Sequence, residues 1–417
     1  MIDARGPTRL FEERPAAAHF SACSTRRPVC VHGGAAVTPA SANRTLVAAE
    51  RALDGLAALG LPWPRGDFAR GGGPQLDVYL DASESVAHAV PELSTIDPDW
   101  DLAAAFIVAP PPTTRSCFED ATIARAVVRA AMLGLDAGAE PQLAEGAARH
   151  IGGLVAPCSI VELESVDVFQ RTPESGFERT PGAEASDASA GAALFFAFLE
   201  DRYGSGRPGE LTMSLFAAAP QRTPPGAIVF QNEPDVIDVL VDNAKAKGSP
   251  PFGEMLLDFS VARAFVGTRS DEMHLLDVAR FGDLGRVRFD WSIDYASLPR
   301  TLAPAFPIQP TGATYVWVDL AKAPGGVPLT LVTRWEPPTE LRWAVVKIAP
   351  DGSEQGRLEP PTQLGQTESQ QSLVDLHGLA GLIIVGVNVG SSSAIDPWDP
   401  DDGPFSGQGT TMTLYPQ

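Results

Sequence analysis

The chain has 417 residues, of which 20% are charged, and a formal net charge of -21 at pH 7. Such an acidic protein lacks the dense Lys/Arg surface that nucleic acid or anionic lipid requires, which argues against both as main partners. The length predicts two or three domains, and no apolar run reaches the roughly 18 residues that a transmembrane helix needs.

Strand and helix patterns alternate near the amino terminus. A β-rich run, PVCVHGG, ends at Gly34, and apolar residues recur at helical spacing over residues 43–59. The run QLDVYLD (75–81) alternates as a strand with one solvated face, and LAAAFIVAPPP supplies a third strand that Pro110 stops. This part of the chain therefore has a mixed α/β character.

The middle of the chain has helical periodicity. The stretch ATIARAVVRAAMLGLDAGAEPQLAEGAARHIGG (121–153) predicts two helices joined by a short acidic hinge. A polar segment of low order (170–191) separates them from GAALFFAFLEDRYG, which indicates a buried helix. Two further helices are predicted at EPDVIDVLVDNAKAK and GEMLLDFSVARAFVG, and Gly267 suits the stop of the second.

From about Arg286 the apolar period changes from that of a helix to that of a strand. The run RVRFDWS places Val287, Phe289 and Trp291 on one face. Turn residues separate the runs that follow, which is typical of an antiparallel β-sandwich. These runs are ATYVWVDL, VPLTLVTRWE, LRWAVVKIA, LAGLIIVGVNVG and TTMTLYP.

The four cysteines form two sets. Cys23 and Cys30 are a local pair, and Cys117 and Cys158 bracket the two helices of 121–153. This placement favours the disulfides Cys23–Cys30 and Cys117–Cys158 and an oxidising compartment, and four buried free thiols are the alternative. The first residues lack the apolar core of a secretory signal, which taken literally indicates the cytoplasm. A start site placed after the signal would reconcile the two observations.

In the first of the two helices, Arg125, Ala126 and Arg129 have the spacing of the His, Glu and His of an HExxH zinc motif. In that motif two histidines bind zinc and the glutamate is the general base. The second helix contains LAEGAARHIG, in which Glu145 has a setting similar to that of the third zinc ligand of such enzymes.

Much of the chain resembles secreted zincin-like metalloproteases of myxobacteria, in particular members whose zinc motif has degenerated. The resemblance implies an α+β fold with a zincin-like N-terminal α/β subdomain (1–115), a helical subdomain with the degenerate active-site helix (116–280) and a C-terminal antiparallel β-sandwich (281–417). The stretches that carry it are CSTRRPVCVHGG, ERALDGLAALGLPWP, LDVYLD, AEGAARHIGG, GAALFFAFLEDRYG, NEPDVIDVL, DFSVARAFVG and PTGATYVWVDL.

The departure from the motif decides the expected chemistry. Arginine does not ligate zinc at neutral pH, and Ala126 accepts no proton, so no catalytic residue and no zinc site are expected. Glu145 would instead pair with Arg125 or Arg129, and the alternative is that all three are solvated surface charges.

Other groups offer weak alternatives for a site. The six histidines make no helical pair, and His150 lies on a different helix face from Glu145. Asp136 and Glu140 in the hinge suit helix-end or loop charges better than catalytic carboxylates. The loop DPWDPDDG offers oxygen ligands for calcium, which is the one candidate cofactor left. An acidic solvated turn is the simpler interpretation of this loop. Its carboxylates are Asp396, Asp399, Asp401 and Asp402.

Three functional hypotheses follow. The first is a secreted or envelope-associated pseudo-peptidase that binds an unknown protein, peptide or glycan or has a structural role. The second is an active hydrolase with an unrecognised metal site or with Glu145, Asp136 and Glu140 as its carboxylates. The third is an adhesion or carbohydrate-binding module, for which exposed tryptophans in the β-sandwich would provide the surface, although core packing is their simpler role. These tryptophans are Trp291, Trp317, Trp335, Trp343 and Trp398.

Overall fold

The protein has a mixed α+β fold. The computed structural model describes residues 14–15, 19–92, 100–114, 116–176, 185–220, 234–271, 273–324, 327–363, 365–391 and 409–417. The chain forms two compact units, and each unit contains two chain segments. Unit 1 contains Met1–Glu162 and Ala192–Leu240, and unit 2 contains Leu163–Gly191 and Val241–Gln417. The subdomain boundaries expected at 115/116 and 280/281 are not tested by this division into units and stay predictions.

Unit 1 contains a five-stranded sheet. Its strand order is β1-β2-β3-β5-β4, in which β2, β3 and β5 are parallel and the edge strands β1 and β4 are antiparallel to their neighbours. The strands are β1 (Phe20–Cys23), β2 (Val29–Gly33), β3 (Leu76–Leu80), β4 (His88–Pro91) and β5 (Ala105–Ala109).

The central strands are buried along their whole length. All five residues of β3 are buried, including Asp77, which is 1% exposed. The prediction of a solvated face for 75–81 is therefore wrong. Parallel strands are normally covered on both faces, and the alternating polar residues here are buried with partners instead of facing water.

Helices of unit 1 begin and end at recognisable signals. Helix α1 (Pro39–Leu59) begins four residues before the predicted start, because the Thr38 side chain accepts a hydrogen bond from the Ser41 amide at 3.1 Å and Pro39 suits the first turn. It ends at Gly60, which has a left-handed φ of 71°. The other helices wholly within unit 1 are α2 (Cys117–Leu133), α3 (Pro141–Val155) and α6 (Glu210–Ala218).

Three helices continue from one unit into the other. They are α4 (Ser159–Arg171), α5 (Ala185–Tyr203) and α7 (Val236–Lys247). Helices α4 and α6 were not predicted, and α5 begins inside the segment that was expected to have low order. Among the described helices, none is both long enough and apolar enough to cross a bilayer.

Unit 2 combines helix α8 (Phe252–Arg263) with two sheets. The five-stranded sheet has the order β11-β10-β13-β8-β6, and the four-stranded sheet has the order β12-β9-β14-β7. The strands are β6 (Trp291–Asp294), β7 (Arg300–Leu302), β8 (Ala313–Asp319), β9 (Leu329–Trp335), β10 (Thr339–Ile348), β11 (Glu354–Leu358), β12 (Glu368–Leu373), β13 (Gly381–Ser391) and β14 (Thr410–Pro416).

The two sheets share one hydrophobic core, as the alternating sequence predicts. Val316, Trp343 and Ile384 of the first sheet lie in the same buried cluster as Leu331 and Leu414 of the second. Two expectations for this region are wrong. The pairing of β6 with β8 is parallel, and the strand predicted at RVRFDWS begins only at its Trp, which is 37% exposed.

Candidate functional site

Helices α2 and α3 carry the positions that resemble the zinc motif. Ser116 caps α2 by accepting a hydrogen bond from the Glu119 amide at 3.3 Å, and acidic Glu119 and Asp120 occupy its first turn. Helix α3 begins with Pro141, whose fixed φ suits the first helical position. The sequence predicted both helices correctly.

Small residues bring α2 and α3 close together. A Cβ atom added to Gly152 would lie 3.2 Å from Cα of Arg125, so the helices meet almost backbone to backbone at this point. The Cys117–Cys158 disulfide links the start of α2 to the residue that precedes α4, and Cys23–Cys30 links β1 to β2. Both predicted disulfides are present.

Arg125 and Glu145 form an ion pair in this helix pair. Nε of Arg125 lies 3.0 Å from Oε1 of Glu145, and Arg149 lies 3.7 Å from the same oxygen. Arg125 also donates a hydrogen bond to the carbonyl of Ala87 at 3.3 Å. The side chains of Arg125 and Glu145 are 14% and 28% exposed. The predicted pairing of Glu145 with one of the arginines is thus confirmed, and these two charges are not freely solvated.

Ala126 and Arg129 are the other two residues of the expected degenerate motif. Ala126 is buried at 1% exposure. Nη1 of Arg129 is buried and has no hydrogen-bond partner within the described part of the chain. Burial lowers the pKa of Arg129, and the nearby charges of Glu145 and Asp136 oppose that shift. Arg129 is therefore a half-buried side chain whose Nη1 is withdrawn from water, and Glu145 and Asp136 are the nearby opposite charges.

The hinge between α2 and α3 contains two buried carboxylates. Asp136 is 2% exposed and accepts a hydrogen bond from the Gly138 amide at 2.9 Å. Burial raises the pKa of Asp136 to about 7. Glu140, at the start of α3, is 8% exposed. Their positions at a loop and a helix end agree with expectation, but both are buried instead of solvated.

One ring nitrogen of His150, on α3, is also buried. Its Nε2 atom is buried without a hydrogen-bond partner in the described residues, and burial lowers its pKa to about 4. A neutral imidazole of this kind has the protonation state that a metal ligand needs. However, within the described ranges no group of three or more His, Cys, Asp or Glu side chains is arranged to hold a metal ion.

The four calcium candidates lie outside the described residues, together with one of the tryptophans. They are Asp396, Asp399, Asp401 and Asp402, and the tryptophan is Trp398.

The other four tryptophans only partly follow the expected core packing. Trp335 and Trp343 are 5% and 1% exposed and belong to the core of unit 2. Trp317 is partly buried, whereas Trp291 is 37% exposed and donates a hydrogen bond to the Ala303 carbonyl at 2.7 Å. Among the described tryptophans of unit 2, Trp291 is the one with an exposed indole, and the glycan-binding hypothesis stays a prediction.

A cleft of about 470 Å³ adjoins the Arg125–Glu145 pair through Ala87, and no sequence pattern indicated it. Ala87, which accepts the hydrogen bond from Arg125, lines this cleft. The walls come from the first half of α1, the residues before β4, the proline-rich loop after β5 and the start of α2. We call it the α1–α2 cleft, and its lining includes Val47, Ala48, Arg51, Val86, Pro111, Phe118, Asp120 and Ile123.

The charges at the α1–α2 cleft are largely paired, whereas apolar side chains are open. Arg51 lies 3.1 Å from Asp120, and Arg44 donates a hydrogen bond to the Pro112 carbonyl at 2.7 Å. Phe118 and Val86 are 46% and 41% exposed. The cleft is therefore suited to an apolar group with polar atoms around it.

Comparisons with known proteins add little to this geometry. No family model matches the chain, and no curated protein matches it. Among solved structures, the pre-peptidase C-terminal domain of a collagenase from Bacillus anthracis is 9% identical, with a TM-score of 0.20 over 31% of this chain and 97% of that chain. A mitogen from Yersinia pseudotuberculosis is 11% identical, with a TM-score of 0.20 over 28% of this chain and 86% of that chain. TM-scores this low define neither a shared fold nor a function.

Proposed function

We propose that the protein is a secreted or envelope-associated relative of zincin-type metalloproteases that binds a polypeptide and does not hydrolyse it through zinc. The main support for this proposal is the ion pair between Arg125 and Glu145. It occupies the place where the resemblance puts two zinc ligands. Guanidinium offers no lone pair to a metal, and without zinc no bound water becomes a hydroxide nucleophile at neutral pH. Two disulfides support an oxidising compartment.

The polypeptide ligand is inferred from two neighbouring features. Among the described strands β4 is at the end of the sheet order next to β5, and an added strand pairs with an edge strand in β-augmentation. The α1–α2 cleft is lined by residues 85–87, directly before β4. An extended segment that pairs with β4 would place an apolar side chain against Phe118 and Val86.

Zinc content tests the loss of the metal site. We expect no bound zinc after the wild-type chain is incubated with zinc and desalted. The triple variant R125H/A126E/R129H should retain close to one zinc, because it restores two imidazoles and a general base beside Glu145. The matched control adds E145A to the triple variant and should bind zinc about 10-fold or more weakly.

Two outcomes would contradict this part of the proposal. Stoichiometric zinc in the wild-type chain would show that other residues form a metal site, and would favour the active-hydrolase hypothesis. A folded triple variant without zinc would show that Arg125, Ala126 and Arg129 do not correspond to the zinc motif.

Peptide binding tests the second part. We expect fluorescein-labelled β-casein, an unstructured polypeptide, to bind with an anisotropy change that the variant F118S weakens about 10-fold, because it removes an exposed ring from the cleft. F68S is the matched control, since Phe68 is also in unit 1 and is 74% exposed but does not line the cleft. No binding, or equal weakening by both variants, would reject the cleft as the binding site.

A further inference from the structure

A second cluster of charges in unit 1 surrounds the guanidinium of Arg14. Three carboxylates approach it: Asp77 on β3, Glu92 directly after β4, and Asp67 from the loop before β3. They are 1%, 6% and 2% exposed. Ionised carboxylates this deeply buried require a positive partner, and Arg14 supplies it.

Every N–H donor of the Arg14 guanidinium has an acceptor. Nε and Nη2 donate to the two oxygens of Glu92, the second at 2.9 Å, in a fork-to-fork arrangement. Nη1 donates to Asp77 and, at 3.1 Å, to the Tyr79 hydroxyl, while Nη2 also donates to Asp67. These five hydrogen bonds match the five donors that arginine possesses.

Aromatic rings complete the pocket. The guanidinium carbon of Arg14 lies 5.4 Å from the Phe106 ring centroid and 5.9 Å from that of Tyr79, which are cation–π distances. His32 stacks on Tyr79 at 4.8 Å, and its Nε2 lies 2.8 Å from Asp77. His32 therefore supports Tyr79 and Asp77 through contacts that do not involve Arg14.

A glycine leaves room for the guanidinium. Gly71 has a φ of 76°, and a Cβ atom at this position would collide with Asp77 Oδ2 and approach Nη1 of Arg14. The loop before β3 thus passes over the pocket with its backbone alone. We call the surroundings of Arg14, made by Asp67, Asp77, Tyr79, Glu92 and Phe106, the guanidinium pocket.

We propose that the guanidinium pocket is a binding site for the arginine side chain of a polypeptide and that Arg14 is its resident ligand. The pocket is built on strands and their adjoining residues, whereas Arg14 lies 53 residues before Asp67 and 78 before Glu92. Residues 14 and 15 belong to no helix or strand. The side-chain contacts therefore hold Arg14 in place, and an arginine from another chain can make the same contacts.

The pocket distinguishes arginine from lysine by its geometry. A lysine ammonium has three donors at one point, so it cannot bond both Glu92 oxygens in parallel while also reaching Asp67, Asp77 and Tyr79. Recognition by this pocket is therefore recognition of a planar guanidinium and not merely of a positive charge. This site does not depend on the proposed function of the α1–α2 cleft.

The test uses the full chain with R14A and blocked amino acids as probes. Millimolar N-acetyl-arginine methylamide should raise the Tm of R14A by about 2 °C or more in a saturable way, because it binds only the folded state. N-acetyl-lysine methylamide at equal ionic strength should have an effect at least about fivefold weaker. The control R207A, whose arginine is 74% exposed, should not respond, and R14A/D77N should lose the response.

Several results would overturn the proposal. These are an unchanged Tm of R14A with blocked arginine, an equal rise with blocked lysine, or an equal rise in R14A/D77N. If R14A does not fold, the test moves to R14K, which keeps the positive charge but lacks the five donors. The Tm of R14K should then be higher with blocked arginine than with blocked lysine. Equal Tm values would refute the guanidinium pocket as an arginine-binding site.

Discussion

Arg125 on α2 and Glu145 on α3 are joined by an ion pair with 3.0 Å between Nε and Oε1. Both side chains are partly withdrawn from water, so solvent screens this pair less than an exposed one. The pair also connects two helices that pack closely at Gly152. It therefore contributes to stability in a way that is measurable.

A double-mutant cycle with R125A and E145A measures that contribution. We expect a coupling free energy of about 1 kcal/mol in urea unfolding, because each single change removes the contact at 3.0 Å, although Glu145 keeps Arg149 at 3.7 Å. The control cycle uses Arg207 and Glu210, which are 74% and 35% exposed, and should give a clearly smaller coupling free energy because water screens these two charges. Equal coupling in both cycles would mean that the Arg125–Glu145 pair is an ordinary surface contact.

Asp136 and His150 predict opposite effects of pH on stability. The folded-state pKa of Asp136 is raised from 3.8 to about 7, so its contribution to the free energy of unfolding falls as pH rises through this window. The folded-state pKa of His150 is lowered from 6.5 to about 4, so its contribution rises with pH through that window. The two slopes oppose each other between about pH 4 and 6.5.

Single variants should separate these two slopes. D136N removes the carboxylate, so its free energy of unfolding should increase with pH by about 1–3 kcal/mol relative to wild type over this range. H150Q removes the imidazole and should show the opposite change. The measurement is urea unfolding at several pH values, with D242N as control because Asp242 is 82% exposed. Parallel profiles for all chains would contradict the assigned burial of Asp136 and His150.

The two disulfides should differ in their contribution to stability. Cys117–Cys158 is separated by 41 residues and Cys23–Cys30 by 7. Loop-closure entropy then predicts a loss of about 4 kcal/mol for C117S/C158S and about 2 kcal/mol for C23S/C30S. Thermal unfolding of both double variants checks this order. A reversed order would indicate that native-state effects, and not the entropy of the unfolded chain, dominate.

Gly152 should be intolerant of a side chain. The variant G152V places atoms against the Arg125 backbone, so α2 and α3 must separate, and we expect a loss of about 1–3 kcal/mol. G356A is a suitable control, because a Cβ at Gly356 has no neighbour within 4 Å. A stable G152V variant with an unchanged Arg125–Glu145 coupling energy would contradict the close helix contact.

The sequence was sufficient for features that depend on local pattern. Alternating apolar residues predicted β8, β9, β10, β13 and β14, because each of these strands has a face in the core of unit 2. The short strands β1 and β4 have too few residues for a period, and β6 lacks the predicted extension because Val287 and Phe289 lie in irregular backbone. The cysteine placement predicted both disulfides.

The candidate sites depend on partners that are distant in the chain, and here the sequence was less informative. The expectation that Glu145 would meet an arginine came from the resemblance to a zinc-peptidase helix pair and not from a local pattern. No local signal indicated that Asp136 and His150 are buried at their polar atoms.

The guanidinium pocket is the clearest difference between what the sequence predicted and what the structure contains. Asp77 and Tyr79 were assigned to a solvated strand face because they alternate with apolar residues, yet both are buried. By itself the sequence determined the main helices of both units, the long strands of the two-sheet core and the two disulfides, because these follow from residue type and spacing. Only the tertiary structure decided which charges are buried and paired, because the electrostatic environment of Arg14, Arg125 or Asp136 is set by residues brought together from distant segments.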